Sequence, residues 1–373
     1  MKKILIGTSA LVAAAAFAGS ANAADPIKLS IGGYGAVMVG YASNDDAFIR
    51  QSGNEVSAVD VKGDNEIHFS GKTTLDNGLT VAVKYEIESG GRSMSDVSDE
   101  WSISLSGNFG TIKTGADDNA LTMIHNNAPI VGGGLAGGDL LDGAYVVKPG
   151  SVSTETDTAI DTNGDREAIS YISPSFAGFT FGASYVPSAS STHGDDNPGA
   201  TTTANTVVSD AYGVGLGYAG KFGDVTVSAD IGWLTADTGN QVKNRDEYQA
   251  GLKFGYAGFE VGGAYRKINM DGITGQLDAD GTVWEAGVSY KTGPYGISLT
   301  YLDAKQADVG QTSVTSKSDD KSKALQLSTS YNMGPGVDLV GGLAYVKFDS
   351  AGTASTGNDN DGWVAATGLS LTF

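Results

Sequence analysis

The chain has 373 residues, a formal net charge of −20, 54 glycines and no cysteine. The negative charge argues against a nucleic-acid partner, whose phosphates would repel it, and the missing cysteines exclude disulfides and thiol chemistry. The glycine content is too high for a helical protein but is compatible with many turns and with strands that have one small-residue face.

The N-terminus has the pattern of a secretory signal peptide. Two lysines precede an apolar stretch over residues 4–18, and Ala21-Asn22-Ala23 has the form of a cleavage site. We therefore predict that residues 1–23 are removed and that residues 24–373 form one domain, two charges more negative than the whole chain. The apolar stretch is too short for a membrane anchor, and no later one approaches the ~20 residues that a spanning helix needs.

The next feature in chain order is a hairpin over residues 67–87. Apolar residues alternate with hydrophilic ones on both sides of Asp76-Asn77-Gly78. The alternation predicts two strands with one apolar face each, and Asn-Gly supplies the positive φ of a tight turn. The same unit recurs six times, with turns near Gly107, Pro174, Gly220, Ala257, Gly293 and Gly334.

An alternating strand at each end, over 29–41 and 363–373, brings the predicted number of strands to sixteen. Long polar connections separate the hairpins, and they span residues 43–65, 89–99, 116–166, 187–210, 235–246, 268–281, 303–322 and 348–361. An even number of strands with short turns on one side and long loops on the other is typical of membrane barrels. We therefore predict an all-β fold: a 16-stranded antiparallel up-and-down transmembrane β-barrel in the outer membrane, with short periplasmic turns and long extracellular loops.

The alternative fold is a soluble β-sandwich, whose strands also alternate. A sandwich uses Greek-key crossovers, whereas this pattern is a simple meander. About sixteen strands would enclose water, so the apolar face would point outward, and only lipid makes that favourable. The residues predicted to face the lumen include Tyr34, Glu66, Glu86, Asp230, Glu260, Arg266 and Glu285.

Four segments carry a family resemblance: residues 31–35, 73–80, 104–111 and 169–185. At these residues the chain resembles alphaproteobacterial general diffusion porins, the sixteen-stranded trimeric type. The resemblance implies a homotrimer whose third long loop, here 116–166, folds into the lumen and narrows it. It also implies that the terminal Phe373 belongs to a signal that the outer-membrane assembly machinery reads.

The resemblance further implies a constriction with acidic and basic sides. The candidate acidic residues on the loop are Asp139, Asp142, Asp157 and Asp161, and the candidate basic residues on the wall are Lys72, Lys84 and Lys113. This chain departs from the family pattern because Ala36 occupies a position that is often basic, and because the wall carries lysines rather than stacked arginines. Both departures favour a preference for cations.

Other motifs give little support to an enzyme or a cofactor. Residues 132–137 match G-x-G-x-x-G, but Pro129 and a glycine-rich loop stand where a dinucleotide site needs a strand. Residues 70–73 resemble the end of a P-loop, but Glu66 occupies the position of its first glycine. The three histidines, His68, His125 and His193, are far apart in sequence and lack an H-E-x-x-H motif, so a solvated or lumen-facing role is expected.

Two acidic loop segments have the composition of a calcium site. Residues 161–165 and 358–362 cluster side-chain oxygens, but neither has the full EF-hand spacing, and plain solvated turns are expected. No cofactor is required, although Ca²⁺ on the acidic loops is compatible with these segments.

The predicted function is a water-filled channel for passive diffusion of small hydrophilic solutes and ions, with a preference for cations and no catalysis. Its partners are then outer-membrane lipid, the permeating solutes and the assembly machinery. Two alternatives stay open. A substrate-specific channel would show lumen aromatics or clustered inward arginines, and a structural or adhesive surface barrel would conduct no ions.

Overall fold

Strands form where the sequence alternates, because the two faces of each strand meet different surroundings. A computed structural model describes residues 25–52, 56–89, 99–132, 145–161, 166–189, 208–238, 242–272, 277–307, 319–351 and 359–373. These ranges contain two short helices, α1 (Asp46–Ser52) and α2 (Ala120–Ile124). Among the described residues, no helix is long and apolar enough to cross a membrane.

Sixteen strands lie in the described ranges. The first eight are β1 (Lys28–Ala42), β2 (Val59–Thr74), β3 (Thr80–Ser89), β4 (Trp101–Gly107), β5 (Gly110–Ala116), β6 (Glu167–Ile172), β7 (Phe179–Ser188) and β8 (Ser209–Phe222). The others are β9 (Val225–Asp237), β10 (Val242–Tyr256), β11 (Phe259–Gly272), β12 (Gly281–Thr292), β13 (Tyr295–Gln306), β14 (Asp320–Gly334), β15 (Val337–Asp349) and β16 (Asn360–Thr372).

Each strand pairs antiparallel with the next one along the chain, and β1 pairs with β16 to close the barrel. At the closure Tyr34 lies opposite Thr372, and the backbones of Gly33 and Phe373 exchange hydrogen bonds of 3.0 and 3.1 Å. A closed barrel has no sheet edge with unpaired backbone groups, as a membrane-spanning sheet requires. The predicted sixteen-stranded antiparallel barrel is confirmed.

The short turns follow from their sequences. Gly78 has a φ of 83°, and the backbone N–H of Leu79 donates to Asn77 Oδ1 at 3.1 Å. Ala257 and Gly258 both have positive φ, 50° and 85°, as both central residues of a type I′ turn do. Such turns match the twist of the strands and therefore fix the register of each hairpin.

Several strands extend into segments that the sequence pattern leaves as loops. β2 begins at Val59 rather than at residue 67, and β10 and β14 begin at Val242 and Asp320. In β2 the added residues include exposed Val59 and Val61, which alternate with polar residues. The alternation is therefore present there, although charged lumen residues give the segment the composition of a loop.

The outward face of the barrel is apolar, and aromatic rings frame it at both ends. Leu29 and Ile31, for example, are 63% and 68% exposed. Rings pair across neighbouring strands at the turn end (Phe259–Tyr290 at 4.3 Å, Tyr295–Tyr331 at 5.1 Å) and at the loop end (Trp284–Tyr301 at 5.2 Å, Tyr345–Trp363 at 5.0 Å). An apolar band between two aromatic belts matches the hydrocarbon layer and its two interfaces.

Candidate pore constriction

The chain turns into the barrel interior directly after β5, and we call residues 117–132 and 145–161 of this connection the interior loop. Asn119 caps α2, because its Oδ1 accepts the backbone N–H groups of Leu121 and Thr122 at 2.7 and 3.2 Å. Its Nδ2 donates to the backbone oxygen of Ile160 at 2.8 Å. One buried side chain therefore joins the start of the interior loop to its end.

The two ends of the loop also share an apolar cluster with the wall. Leu121 and Ile160 are fully buried together with Val186 of β7 and Leu234 of β9. Removing such side chains from water stabilises the arrangement by roughly 1.5–3 kcal/mol each. This wall is apolar near the loop end of the strands, where a water-filled lumen alone would favour polar residues.

From α2 the chain runs along the inner wall as an outgoing arm, residues 125–132. Its backbone N–H groups donate to inward side chains of three strands: Asn126 to Asp230 Oδ1 at 2.8 Å, Ala128 to Glu285 Oε1 at 2.8 Å and Val131 to Ser298 Oγ at 3.0 Å. These strands are β9, β12 and β13. The polar wall residues thus accept hydrogen bonds from backbone N–H groups of the arm, which is not paired in a β-sheet.

Inward glycines let the outgoing arm lie close to the wall. A Cβ built on Gly251 would overlap the backbone oxygen of Asn126, and one on Gly213 would overlap the side chain of Leu121. One on Gly287 would lie 3.0 Å from the backbone oxygen of Pro129. Part of the glycine content is therefore explained by the space that the loop occupies.

A return arm, residues 145–161, runs back along the wall. Its contacts with inward side chains are Ser153 N–H to Asp320 Oδ2 at 2.7 Å, Glu155 N–H to Gln306 Oε1 at 3.1 Å, Arg266 Nη1 to the Asp157 backbone oxygen at 3.2 Å and Ile160 N–H to Gln249 Oε1 at 2.7 Å. These side chains belong to β14, β13, β11 and β10 in that order.

The return arm begins at a second apolar cluster. Tyr145, Val146 and Val152 of the arm are buried with inward residues of β1 and β12–β16, among them Met38 and Phe348. The hydroxyl of Tyr145 donates to the backbone oxygen of Met38 at 3.1 Å. The loop is therefore anchored on both sides of the barrel interior.

His125 connects the outgoing arm, the wall and the return arm. Its Nδ1 lies 2.9 Å from Asp230 Oδ2 and its Nε2 lies 3.1 Å from Thr158 Oγ1. The side chain is 1% exposed. Both ring nitrogens are engaged, so this histidine holds the loop to the wall.

The inner side of β2–β5 carries a set of charged residues that face the remaining lumen. We call Glu66, His68, Lys84, Glu86, Glu100, Lys113 and Asp117 the charged wall. The side chains of His68 and Lys84 are 31% and 36% exposed, so water reaches them.

Ion pairs organise the charged wall. Lys84 Nζ lies 3.1 Å from Glu86, 2.9 Å from Glu100 and 3.8 Å from Asp117. Lys113 Nζ lies 3.0 Å from Asp117. Both lysines therefore have carboxylate partners on the same side of the lumen.

The two acids that flank the strands of this wall differ in how they titrate. Burial raises the pKa of Glu100 to about 9, although Lys84 acts in the opposite direction. Burial also acts to raise the pKa of Asp117, but Lys113 and Lys84 outweigh it and hold that pKa below its usual range. Asp117 is therefore a permanent negative charge at neutral pH.

The candidate constriction residues fall into three groups. Asp139 and Asp142 lie outside the described residues. Asp157 and Asp161 are 9% and 5% exposed and lie in the return arm, where Asp157 Oδ1 accepts the N–H of Ala159 at 2.8 Å. Lys84 and Lys113 lie on the charged wall, and Lys72 is an exposed residue near the turn end of β2.

The other predicted lumen residues separate into loop anchors and residues nearer the pore. Asp230 and Glu285 accept hydrogen bonds from the outgoing arm, and Arg266 is 1% exposed and donates through Nε to Glu247 Oε2 at 2.6 Å. The hydroxyl of Tyr34 donates to Asp64 Oδ2 at 2.9 Å. Glu260 lies 3.9 Å from Lys253 at the turn end.

The alternation does not assign Glu100, Asp117 or Glu247, because each lies just outside a strand as the sequence predicts it. In the sequence, these three acids are recognisable only by their position, since each lies within a few residues of an alternating segment. The pairing partners of these acids are set by strand register, which one strand alone does not specify.

The acidic segments with calcium-like composition have other contacts. Asp359 Oδ1 accepts the N–H of Ser350 at 2.7 Å, and Asp361 Oδ2 accepts the hydroxyl of Tyr345 at 2.8 Å. Residues 162–165 and Asn358 lie outside the described ranges. Asp359 and Asp361 therefore each have a carboxylate oxygen engaged in a hydrogen bond within the protein.

A family model described as Gram-negative porin matches residues 10–351. The chain belongs to the Gram-negative porin family. Among curated proteins, none matches the sequence. The family and the barrel indicate an outer-membrane porin channel.

Solved outer-membrane proteins, among them two described as porins, share the fold of this porin. An anion-selective porin from Comamonas acidovorans has a TM-score of 0.60 at 18% identity, with 93% of this chain and 100% of that chain covered. A trimer form of OmpT, an outer membrane protein of Vibrio cholerae, has a TM-score of 0.58 at 13% identity, with 94% and 100% covered. A triple mutant of the Rhodopseudomonas blastica porin has a TM-score of 0.55 at 16% identity, with 93% and 100% covered.

Proposed function

We propose that this porin forms a water-filled pore for the passive diffusion of small hydrophilic solutes and ions, with a preference for cations. The observation that carries the proposal is that the interior loop fills one side of the barrel interior and leaves space on the other side. The interior loop lies against the wall of β6–β16 and β1, and the charged wall on β2–β5 faces the space that remains. Solutes would pass between the two.

The preference for cations is supported by the charges along that path. The charged wall has carboxyl groups on Glu66, Glu86 and Asp117 against the two lysines, and Glu100 is left out of this balance because its pKa of about 9 keeps it protonated at neutral pH. The whole chain also has a net negative charge, −20. A lumen with an excess of carboxylates concentrates cations. Because a neighbour of the same fold is described as anion-selective, we attribute the sign of the preference to these charges and not to the fold.

The preference is tested by reversal potentials across a KCl gradient in planar bilayers. We expect a potential of the sign that K⁺ permeation gives. A potential of the opposite sign would contradict the cation preference while leaving the channel itself established.

We also propose a general rather than a substrate-specific pore. The inward arginines of β10 and β11 do not form a free anion site, because Arg245 Nε and Arg266 Nε each lie 2.6 Å from a carboxylate oxygen of Glu247. Titrating sugars, peptides and organic anions into the conductance measurement tests this point. Saturable block by one of these solutes would replace the general pore with a specific one.

The oligomer that we propose is a homotrimer. The family resemblance implies it, and one structural neighbour is described in a trimer form. Light scattering of the detergent-solubilised protein, corrected for bound detergent, should give three chains per particle, and a monomeric mass would contradict it.

A further inference from the structure

Three metal-binding side chains converge on the charged wall. His68 Nε2 lies 2.7 Å from Glu66 Oε2 and 3.2 Å from Glu86 Oε1, and the three ligand atoms all lie within 4.8 Å of one another. The two glutamates are 2% and 6% exposed, whereas His68 is 31% exposed. The cluster therefore has a fixed, buried base and one side open to the lumen.

Strand pairing explains why the three side chains meet. Glu66 and His68 are two positions apart on β2 and therefore share its inner face. Glu86 is the direct cross-strand neighbour of His68 on β3. All three stand on a paired sheet, which holds ligands more precisely than a loop does.

The donor set and its spacing match a borderline transition-metal ion. Zn²⁺ binds imidazole nitrogen and carboxylate oxygen at about 2.1 Å, and tetrahedral geometry then places the donors about 3.4 Å apart. The two separations from His68 Nε2, 2.7 and 3.2 Å, are slightly shorter than that value, so the donors need to move apart by less than 1 Å to bind the ion. We propose that Glu66, His68 and Glu86 bind a divalent transition-metal ion such as Zn²⁺, with the fourth position open to the lumen.

A charge that competes with the metal for Glu86 is Lys84, whose Nζ lies 3.1 Å from that carboxylate. This ammonium also contacts Glu100 at 2.9 Å and Asp117 at 3.8 Å. It therefore keeps the Asp117 carboxylate and the Glu100 carboxyl group as partners when Glu86 turns to the metal. Tyr34 packs edge-on against the imidazole, with ring centroids 6.1 Å apart, and limits its rotation.

Because the site lies on the wall that faces the pore, a bound ion would add positive charge to the conduction path. We expect micromolar ZnCl₂ to reduce KCl conductance, a readout that rests on the proposed channel function. Equilibrium dialysis of the folded, detergent-solubilised porin against ZnCl₂ reports binding independently of conduction. Zn²⁺ binding by a protein that does not conduct would support the metal site and contradict the channel. Conduction without Zn²⁺ binding would support the channel and contradict the metal site.

The decisive comparison uses variants at and away from the site. His68→Ala should raise the half-blocking and half-binding concentrations of Zn²⁺ about tenfold or more, and Glu86→Gln should also weaken both. Glu260→Gln removes one carboxylate at the turn end and should leave both values unchanged. Ca²⁺, which prefers oxygen ligands, should block wild type and His68→Ala equally weakly.

Two results would overturn the proposal. One is equal Zn²⁺ affinity in wild type and His68→Ala, which would assign the ion to the acidic loops. The other is a conducting, folded porin that binds no Zn²⁺ at millimolar concentration. In the second case the channel function stands and only the metal site fails.

Discussion

At the scale of single residues, Asp117 carries the charge that balances the lysines of the charged wall. It lies 3.0 Å from Lys113 and 3.8 Å from Lys84. Two charges at 4 Å interact by about 1 kcal/mol in bulk water, and by more where water is partly excluded. The sign of the field on this side of the pore therefore depends on a residue that follows β5 directly.

Replacing this carboxylate should shift the ion preference toward anions. Asp117→Asn leaves Lys113 and Lys84 with one fewer negative neighbour, and the ratio of K⁺ to Cl⁻ permeability should fall about two- to fivefold. Reversal potentials in a KCl gradient measure the ratio. Asp338→Asn removes the same charge near the turn end and should change it less. A ratio that is equal in wild type and Asp117→Asn would mean that ions do not pass this wall.

The sequence predicts which residues face inward better than it predicts what they do there. The two-residue period places Glu86, Lys84 and Lys113 on the inner face, as observed. It does not show that His68 and Glu86 are neighbours, because that contact depends on the register between β2 and β3. The sequence analysis expects no metal role for His68 because the three histidines are far apart along the chain. That spacing does not reveal ligands that a neighbouring strand contributes.

At the scale of elements, the strands are predictable because each repeats a local pattern, whereas the interior loop is not. The paths of residues 117–132 and 145–161 are set by contacts with strands up to about 200 positions away, such as Asn360 Nδ2 with the Val147 backbone oxygen. Inward polar residues like Asp230 and Glu285 read from the sequence as pore-lining, but they bind the loop backbone. Glycines on the same face make the space for it.

A side chain at an inward glycine should push the outgoing arm off the wall. Gly251→Ala places a Cβ against the backbone oxygen of Asn126, which has no rotamer to escape into, at a cost of about 1–3 kcal/mol. The arm then shifts into the lumen, and single-channel conductance should fall. Gly217→Ala is the matched control, because its Cβ would lie 3.5 Å from Ile124 Cβ, an ordinary contact. Equal conductance in the two variants would mean that the outgoing arm does not lie against Gly251.

A disulfide should lock the return arm to the barrel without displacing it. The hydroxyls of Thr154 and Ser322 are in hydrogen-bond contact, and both residues are buried. In a chain with no cysteine of its own, Thr154→Cys with Ser322→Cys should oxidise and form a large covalent loop. The oxidised chain should migrate differently from the reduced one on a denaturing gel, and conductance should stay at the wild-type value.

The single-cysteine variants are the controls for this test, since neither can form the intramolecular bond. If the double variant resists oxidation while both thiols react with a small maleimide in the folded porin, then residues 145–161 do not lie against β14.

At the scale of the whole molecule, the barrel separates two surfaces that the sequence interleaves residue by residue. Its outer face is apolar between aromatic belts, and its inner face is polar except where the loop packs. The closure of β1 on β16, with Phe373 paired to Gly33, leaves no free edge. Such a molecule is stable only with lipid or detergent outside and water inside, which is the physical basis for assigning it a pore.

The most direct test of the pore is single-channel recording of the purified, folded porin in planar bilayers with symmetric KCl. We predict discrete, ohmic conductance steps that grow with salt concentration, as a water-filled pore narrowed by an interior loop requires. Protein that inserts into the bilayer, keeps the barrel by circular dichroism and resists heat unfolding, yet gives no conductance step, would contradict it.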